Sequence, residues 1–168
     1  FGPQSAPPQP GPLIPSPVIH AHAIAHASPK GGTAKLREIY AAHPDVRLPG
    51  PAGTLAGTLT IPDRGRPPFP AVVTLTGSGA HLRDGNRTPE HPYRPFRDIA
   101  GALAGCGVAT LRLDDRGTGG STGDANAATA EDTAADARAA LRFLRARPDI
   151  DPRRVALVGH SYGGVIAP

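Results

Sequence analysis

The sequence predicts an α/β fold in which a mostly parallel sheet follows an antiparallel entry hairpin. Three short apolar runs, Ala71–Thr76, Val108–Leu113 and Val155–Val158, are rich in β-branched residues and bounded by Gly, Pro or Asp, as buried strands are. Two stretches of helical periodicity separate them. Strand, helix, strand, helix, strand is the pattern of a parallel sheet with crossover helices.

Taken in order, Thr54 to Ile61 alternates imperfectly around Gly57 and fits one arm of the hairpin. Ala71–Thr76 is the first buried strand. Pro95 suits a first helical position, and Phe96, Ile99, Leu103 and Cys106 share one face until Gly105 and Gly107 stop the helix. Val108–Leu113 is the second strand. Thr129 with Asp132 three residues on is a capping pattern, and Ala134, Ala137, Leu141 and Leu144 form the apolar stripe of a helix that ends before Pro148. Val155–Val158 is the third strand, and Gly164 to Ala167 can open another helix.

Composition bounds the partners. The 168 residues suit one domain, but 21 Gly and 21 Pro are unevenly spread. Residues 1–35 run through FGPQSAPPQPGPLIPSP and HAHAIAHA to SPKGG, with too little apolar side chain to repay the ordering of their backbone. They make a disordered Pro/Ala/His-rich linker through residue 43, ahead of a folded part at 44–168. His20, His22 and His26 lie in that linker without Cys or carboxylate partners, so a tether is favoured over a metal site. The net charge of +4 comes from sixteen Arg against two Lys, scattered and without a nucleic-acid-binding motif, so no nucleic-acid partner is expected. A lone Cys106 excludes an intrachain disulfide, and its place on a helix face predicts a small buried residue. No apolar run reaches the length of a membrane span. The chain begins at Phe1, which suits a cytoplasmic or an exported protein equally.

All three buried strands run into unusual loops: Gly77-Ser78-Gly79, Asp114-Asp115-Arg116-Gly117 and Gly159-His160-Ser161. In a parallel sheet these loops share the carboxyl edge, where α/β proteins bind ligands. Gly159-His160-Ser161-Tyr162-Gly163 is G-x-S-x-G between a strand and a helix, the setting of a nucleophile elbow. A sharp turn there exposes the Ser161 hydroxyl, and side chains at Gly159 or Gly163 would collide. The new helix offers its positive end, so the Tyr162 N–H can bind an oxyanion. The second oxyanion donor is expected from the loop after the first strand: the N–H of Ser78, with Gly79 as the alternative. Nucleotide readings fail. Leu82 stands where a dinucleotide fingerprint needs a third glycine, and Gly117 to Gly123 lacks the Lys of a P-loop. No cofactor is expected.

From about Gly53 onward the chain resembles bacterial α/β-hydrolases of the serine esterase and aminopeptidase-like group. The resemblance rests on LAGTLTIP, PAVVTLTGSG followed by Arg83-Asp84, LRLDDRGTGGSTGD, DIDPRRVALVGHSYGG and VIAP. It implies the α/β-hydrolase fold, and that the Asp114–Ser121 loop shapes the region beside the active site. Relatives with these elements commonly carry Glu where Tyr162 stands; the backbone role is unaffected. In this fold the catalytic residues follow the order Ser, Asp or Glu, then His. The seven residues after Ser161 hold no acid and no His, so the fold is expected to be incomplete at its C-terminal end, with base and acid beyond Pro168. His160 is expected to pack under the elbow, while His81 and His91 are minor candidates for a base. The expected activity is cofactor-free hydrolysis of a small-molecule ester through an acyl-enzyme on Ser161. An aminopeptidase-like amide hydrolase and a non-catalytic interaction domain are the alternatives.

Overall fold

The structure is a computed structural model and describes residues 45–88 and 90–167. The linker, with His20, His22 and His26, lies outside the described residues. Five strands, β1 (Asp45–Gly50), β2 (Gly53–Thr60), β3 (Phe69–Leu75), β4 (Ala109–Leu113) and β5 (Ile150–Gly159), form one sheet in the order β1-β2-β4-β3-β5. The helices are α1 (Pro95–Gly105), α2 (Ala130–Arg145) and the short α3 (Tyr162–Ile166). None of these helices is long and apolar enough to cross a membrane.

The hairpin is antiparallel, Leu48 facing Leu55 and Gly50 facing Gly53 across a two-residue turn, and β2 joins β4 antiparallel. β3 is parallel to β4 on one side and to β5 on the other. The path from β3 to β4 therefore runs one way along the sheet, and the path from β4 to β5 runs back past β3. Crossovers between parallel strands are right-handed, so this reversal sends α1 and α2 to opposite faces. α1 packs on β4 and β2, whereas α2 packs on β5, β1 and β3 and touches α3. The loops leaving β3 and β5 thus depart toward opposite faces, opening a crevice between two neighbouring carboxyl ends. Open α/β sheets bind ligands at such a reversal.

The core is mostly aliphatic, with Val73, Leu111, Leu144 and Ile150 enclosed between sheet and helices. α2 opens on the capping box the sequence predicts: the Asp132 N–H donates to the Thr129 hydroxyl, and the Thr129 N–H to the Asp132 carboxylate. Its buried residues are Ala137, Ala139, Ala140 and Leu144; Ala134 and Leu141 sit at the margin of that stripe.

Three expectations need correction. The buried face of α1 is Phe96, Ala100 and Ala104, with Ile99 and Leu103 flanking it, and Cys106 is exposed. The helix has ended by Cys106: Val108 N–H bonds Leu103 O and Gly107 N–H bonds Ala104 O, a Schellman closure with Gly107 at φ 78°. That turn carries the cysteine off the helical face. β3 and β4 are buried as expected, but β5 is only partly so, with Ala156 exposed, because β3 is its one partner among the described residues. His160 is exposed for the same reason, and does not pack under the turn that follows β5.

Candidate active site

At the end of β5 the chain reverses through a tight turn. Gly163 N–H donates to His160 O at 3.0 Å, and Ser161 stands at φ 53°, ψ −118°. These are the angles of the first central residue of a type II′ turn, a place that strongly prefers glycine. Ser161 is the one non-glycine with positive φ among the described residues. Its side chain is exposed, and α3 starts at the next residue.

The flanking glycines are explained by close approach. A Cβ on Gly159 would lie 2.2 Å from Gly163 O, across the turn. A Cβ on Gly163 would lie 2.4 Å from Thr76 O and 2.5 Å from Leu75 O, so this collision is with β3 rather than within the turn. His160 N–H, donating to Leu75 O at 3.0 Å, fastens the turn to β3 as well.

The loop after β3 faces Ser161. A Cβ built on Gly77 would be 3.4 Å from Ser161 Cβ, so the Gly77–Ala80 span starts beside the serine. Gly79 has φ 90°, Ser78 O accepts from Arg87 Nη2 at 3.2 Å, and both residues are exposed. The N–H groups of Ser78, Gly79 and Tyr162 have no hydrogen-bond partner among the described residues.

Two successive aspartates after β4 organise this rim differently. Asp114 is buried in the fork of Arg83, with Nε to Oδ1 at 3.1 Å and Nη2 to Oδ2 at 2.8 Å. It also accepts the N–H groups of Arg83 and Gly120. Burial pushes its carboxyl up, but the Arg83 side chain and the two N–H donors outweigh that, leaving it below the usual aspartate range. Ser121 Oγ donates to Asp114 O and accepts from Ala56 N–H, which ties the Asp114–Ser121 loop to β2. Arg116 turns the other way and grips Asp132 and Asp136 on α2. The D-x-R-G-x-G-x-S stretch is therefore a brace between sheet edge and helix.

Asp115 has no arginine. Thr76 Oγ1 lies 2.8 Å from each of its oxygens, and His81 N–H donates to Oδ2 at 2.9 Å. Burial raises its carboxyl from 3.8 to about 6, against the lowering effect of those hydrogen bonds. It borders a cleft of about 230 Å³ together with Gly77, Gly79 and Tyr162; Ser161 is not among the lining residues. The cleft thus lies beside the serine, toward α2. Its acid was not singled out from the sequence.

Among the described residues, His81 and His91 are engaged elsewhere. The His81 ring contacts Gly79 O at 3.0 Å and lies 3.7 Å from Asp115, and His91 Nδ1 accepts from Tyr93 N–H. Neither bonds to Ser161.

A sheet of this order, with a strained serine turn at its carboxyl-edge crevice and a glycine loop opposite, defines an α/β-hydrolase architecture. The comparisons agree. The family model "Serine aminopeptidase, S33" matches residues 89–168. The chain is 34% identical over 114 residues to "Esterase EstD" of Thermotoga maritima, an alignment covering 68% of this chain and 26% of that protein. It is 41% identical over 70 residues to the uncharacterized protein Rv2307c of Mycobacterium tuberculosis, covering 42% of this chain and 24% of the relative. The chain thus spans about a quarter of the length of the curated relatives it matches. Among solved structures it is similar to the α/β hydrolase GrgF from Penicillium, with TM-score 0.59 at 23% identity over 74% of this chain and 39% of the other. It is also similar to XC6422 from Xanthomonas campestris, described as an α/β serine hydrolase without lid, with TM-score 0.56 at 22% identity over 74% and 53%. The chain belongs to the α/β-hydrolase superfamily.

Proposed function

We propose that this chain carries the nucleophile half of a serine hydrolase that cleaves small carboxylic esters. The observation that carries the reading is Ser161 itself, a serine held at φ 53° in a turn position that wants glycine. Backbone strain of this kind persists where the surroundings enforce it, and clusters at active sites. In the proposed step Ser161 Oγ attacks the ester carbonyl and expels the alcohol, forming an acyl-enzyme that water then hydrolyses. The oxyanion is received by the N–H of Tyr162 and the N–H of Ser78, or of Gly79 in its place. The general base is assigned to a histidine C-terminal to Ser161, oriented by an acid, in the chain order of this fold. The ester is favoured over the amide by the name of the esterase relative; the aminopeptidase family match supports amide hydrolysis as the second reading.

The test uses protein expressed from the complete coding sequence. A fluorophosphonate should label Ser161, and Ser161→Ala should abolish labelling and lower turnover of p-nitrophenyl acetate by at least about 10³-fold, because triad members act as a unit. Turnover by Ser161→Ala at the parent's rate would overturn the assignment.

A further inference from the structure

Resting on that reading, we propose that Asp115 is the positioning residue of the oxyanion loop, its carboxylate clasping both ends of the Gly77–Ala80 span, whose first residue lies against Ser161. The span is four residues long and begins with a residue that has no side chain. Thr76, immediately before it, directs its hydroxyl at both Asp115 oxygens, 2.8 Å each. His81, immediately after it, donates its N–H to Oδ2 at 2.9 Å. His81 is held through its carbonyl as well, which accepts the Asp115 N–H at 3.0 Å and the Thr118 hydroxyl at 2.9 Å. One carboxylate therefore fixes where the span starts and where it ends. Between those points its side-chain bonds are few: Arg87 to Ser78 O and the His81 ring at Gly79 O.

The chemistry suits a carboxylate. Two donors converge from one loop, and an ionised carboxylate accepts both without presenting a donor of its own. The neighbouring cations do not claim it: Arg83 is committed to Asp114, and Arg116 to Asp132 and Asp136. The charged or titratable groups around it are the His81 ring at 3.7 Å, Asp114, and Tyr162 and Asp136 across the cleft. Burial opposes its ionisation, so the carboxylate is retained at a cost to stability, which is expected of a group selected for placement. An oxyanion hole stabilises only where its donors sit about 3 Å from the developing charge, so a loop free to drift loses transition-state binding while substrate binding survives.

Asp115→Asn keeps the size but replaces one charged acceptor oxygen with an NH2 and leaves the other a neutral acceptor, so the charge-assisted hydrogen bonds from Thr76 and His81 weaken. In protein expressed from the complete coding sequence, kcat for p-nitrophenyl acetate should fall about 10- to 100-fold with KM within about threefold, a smaller loss than that of an oxyanion donor itself. The matching thionoester reports the hole directly, because sulfur accepts hydrogen bonds poorly. The preference for oxoester over thionoester should shrink by a factor similar to the loss in kcat. Thr76→Val should shrink it too, and Thr76→Ser, which restores the hydroxyl, should bring it back. This pair also carries the test if Asp115→Asn does not fold. A merely structural role would lower both esters alike, and an unchanged oxo/thiono ratio in Asp115→Asn or Thr76→Val overturns the proposal. Fluorophosphonate labelling of the parent at Ser161 is scored first. Its absence refutes the serine-hydrolase reading, whereas labelling with an unchanged ratio refutes only the role of Asp115.

Discussion

The strain at Ser161 can be measured apart from any catalysis. At φ 53°, ψ −118° the unfavourable contact is made by Cβ, which alanine shares and glycine lacks. Ser161→Ala therefore removes the hydroxyl and keeps the strain, while Ser161→Gly removes both. A non-glycine in such a region costs about 1–3 kcal/mol. Against that, glycine gives the unfolded chain extra freedom worth about 0.5–1 kcal/mol. The net expectation is that Ser161→Gly is more stable than Ser161→Ala by about 1 kcal/mol, or roughly 3–5 °C in Tm for a domain of this size. Calorimetry and urea melts on the two variants, under identical conditions, give the difference without reference to activity. If Ser161→Gly melted at or below Ser161→Ala, the turn would hold no backbone strain, and the main support for Ser161 as a nucleophile would be lost.

Other expectations follow from single positions. Gly105 and Gly107 both face open space, but only Gly107 has positive φ, at 78°. Gly105→Ala should stabilise by about 0.5–1 kcal/mol and Gly107→Ala should destabilise by about 1 kcal/mol; two shifts of the same sign in denaturant melts would contradict the Schellman closure. Asp115 binds a proton more tightly folded than unfolded, so its contribution to stability is present below pH 3.8 and lost as pH rises through about 6. Compared in a His81→Ala background, Asp115→Asn should gain on its parent by about 2–3 kcal/mol between pH 4 and 7, and a flat difference would refute the raised carboxyl.

How much of this was legible in the sequence depends on the range of the interaction. β3, β4 and both long helices were legible as elements because apolar patterning and end signals are local, though the buried face of α1 was misread. β1 was not: DVRLPG carries a proline and little alternation, and becomes a strand through its pairing with β2. β5 begins five residues before the apolar run, where Ile150 pairs with Phe69 ahead of a register shift. Cys106 was misplaced because a helical stripe was continued one residue beyond its last turn.

The tight turn at Ser161 was legible for a different reason. A turn this tight demands glycine where Cβ atoms would strike backbone, so its geometry is written into Gly159 and Gly163 directly. The clasp at Asp115 makes no such local demand, since its partners Thr76 and His81 are 39 and 34 residues away. It becomes readable only once register is known. β3 and β4 run parallel with Thr74 opposite Arg112, an offset of 112 − 74 = 38, which sets Thr76 level with position 76 + 38 = 114. Side chains alternate faces along a strand, so two aspartates in succession at that level are turned to different surroundings. Asp114 meets Arg83 and becomes part of the brace, while Asp115 meets the end of β3 and the start of its loop. The division of labour between two identical side chains thus follows from strand register and pleat.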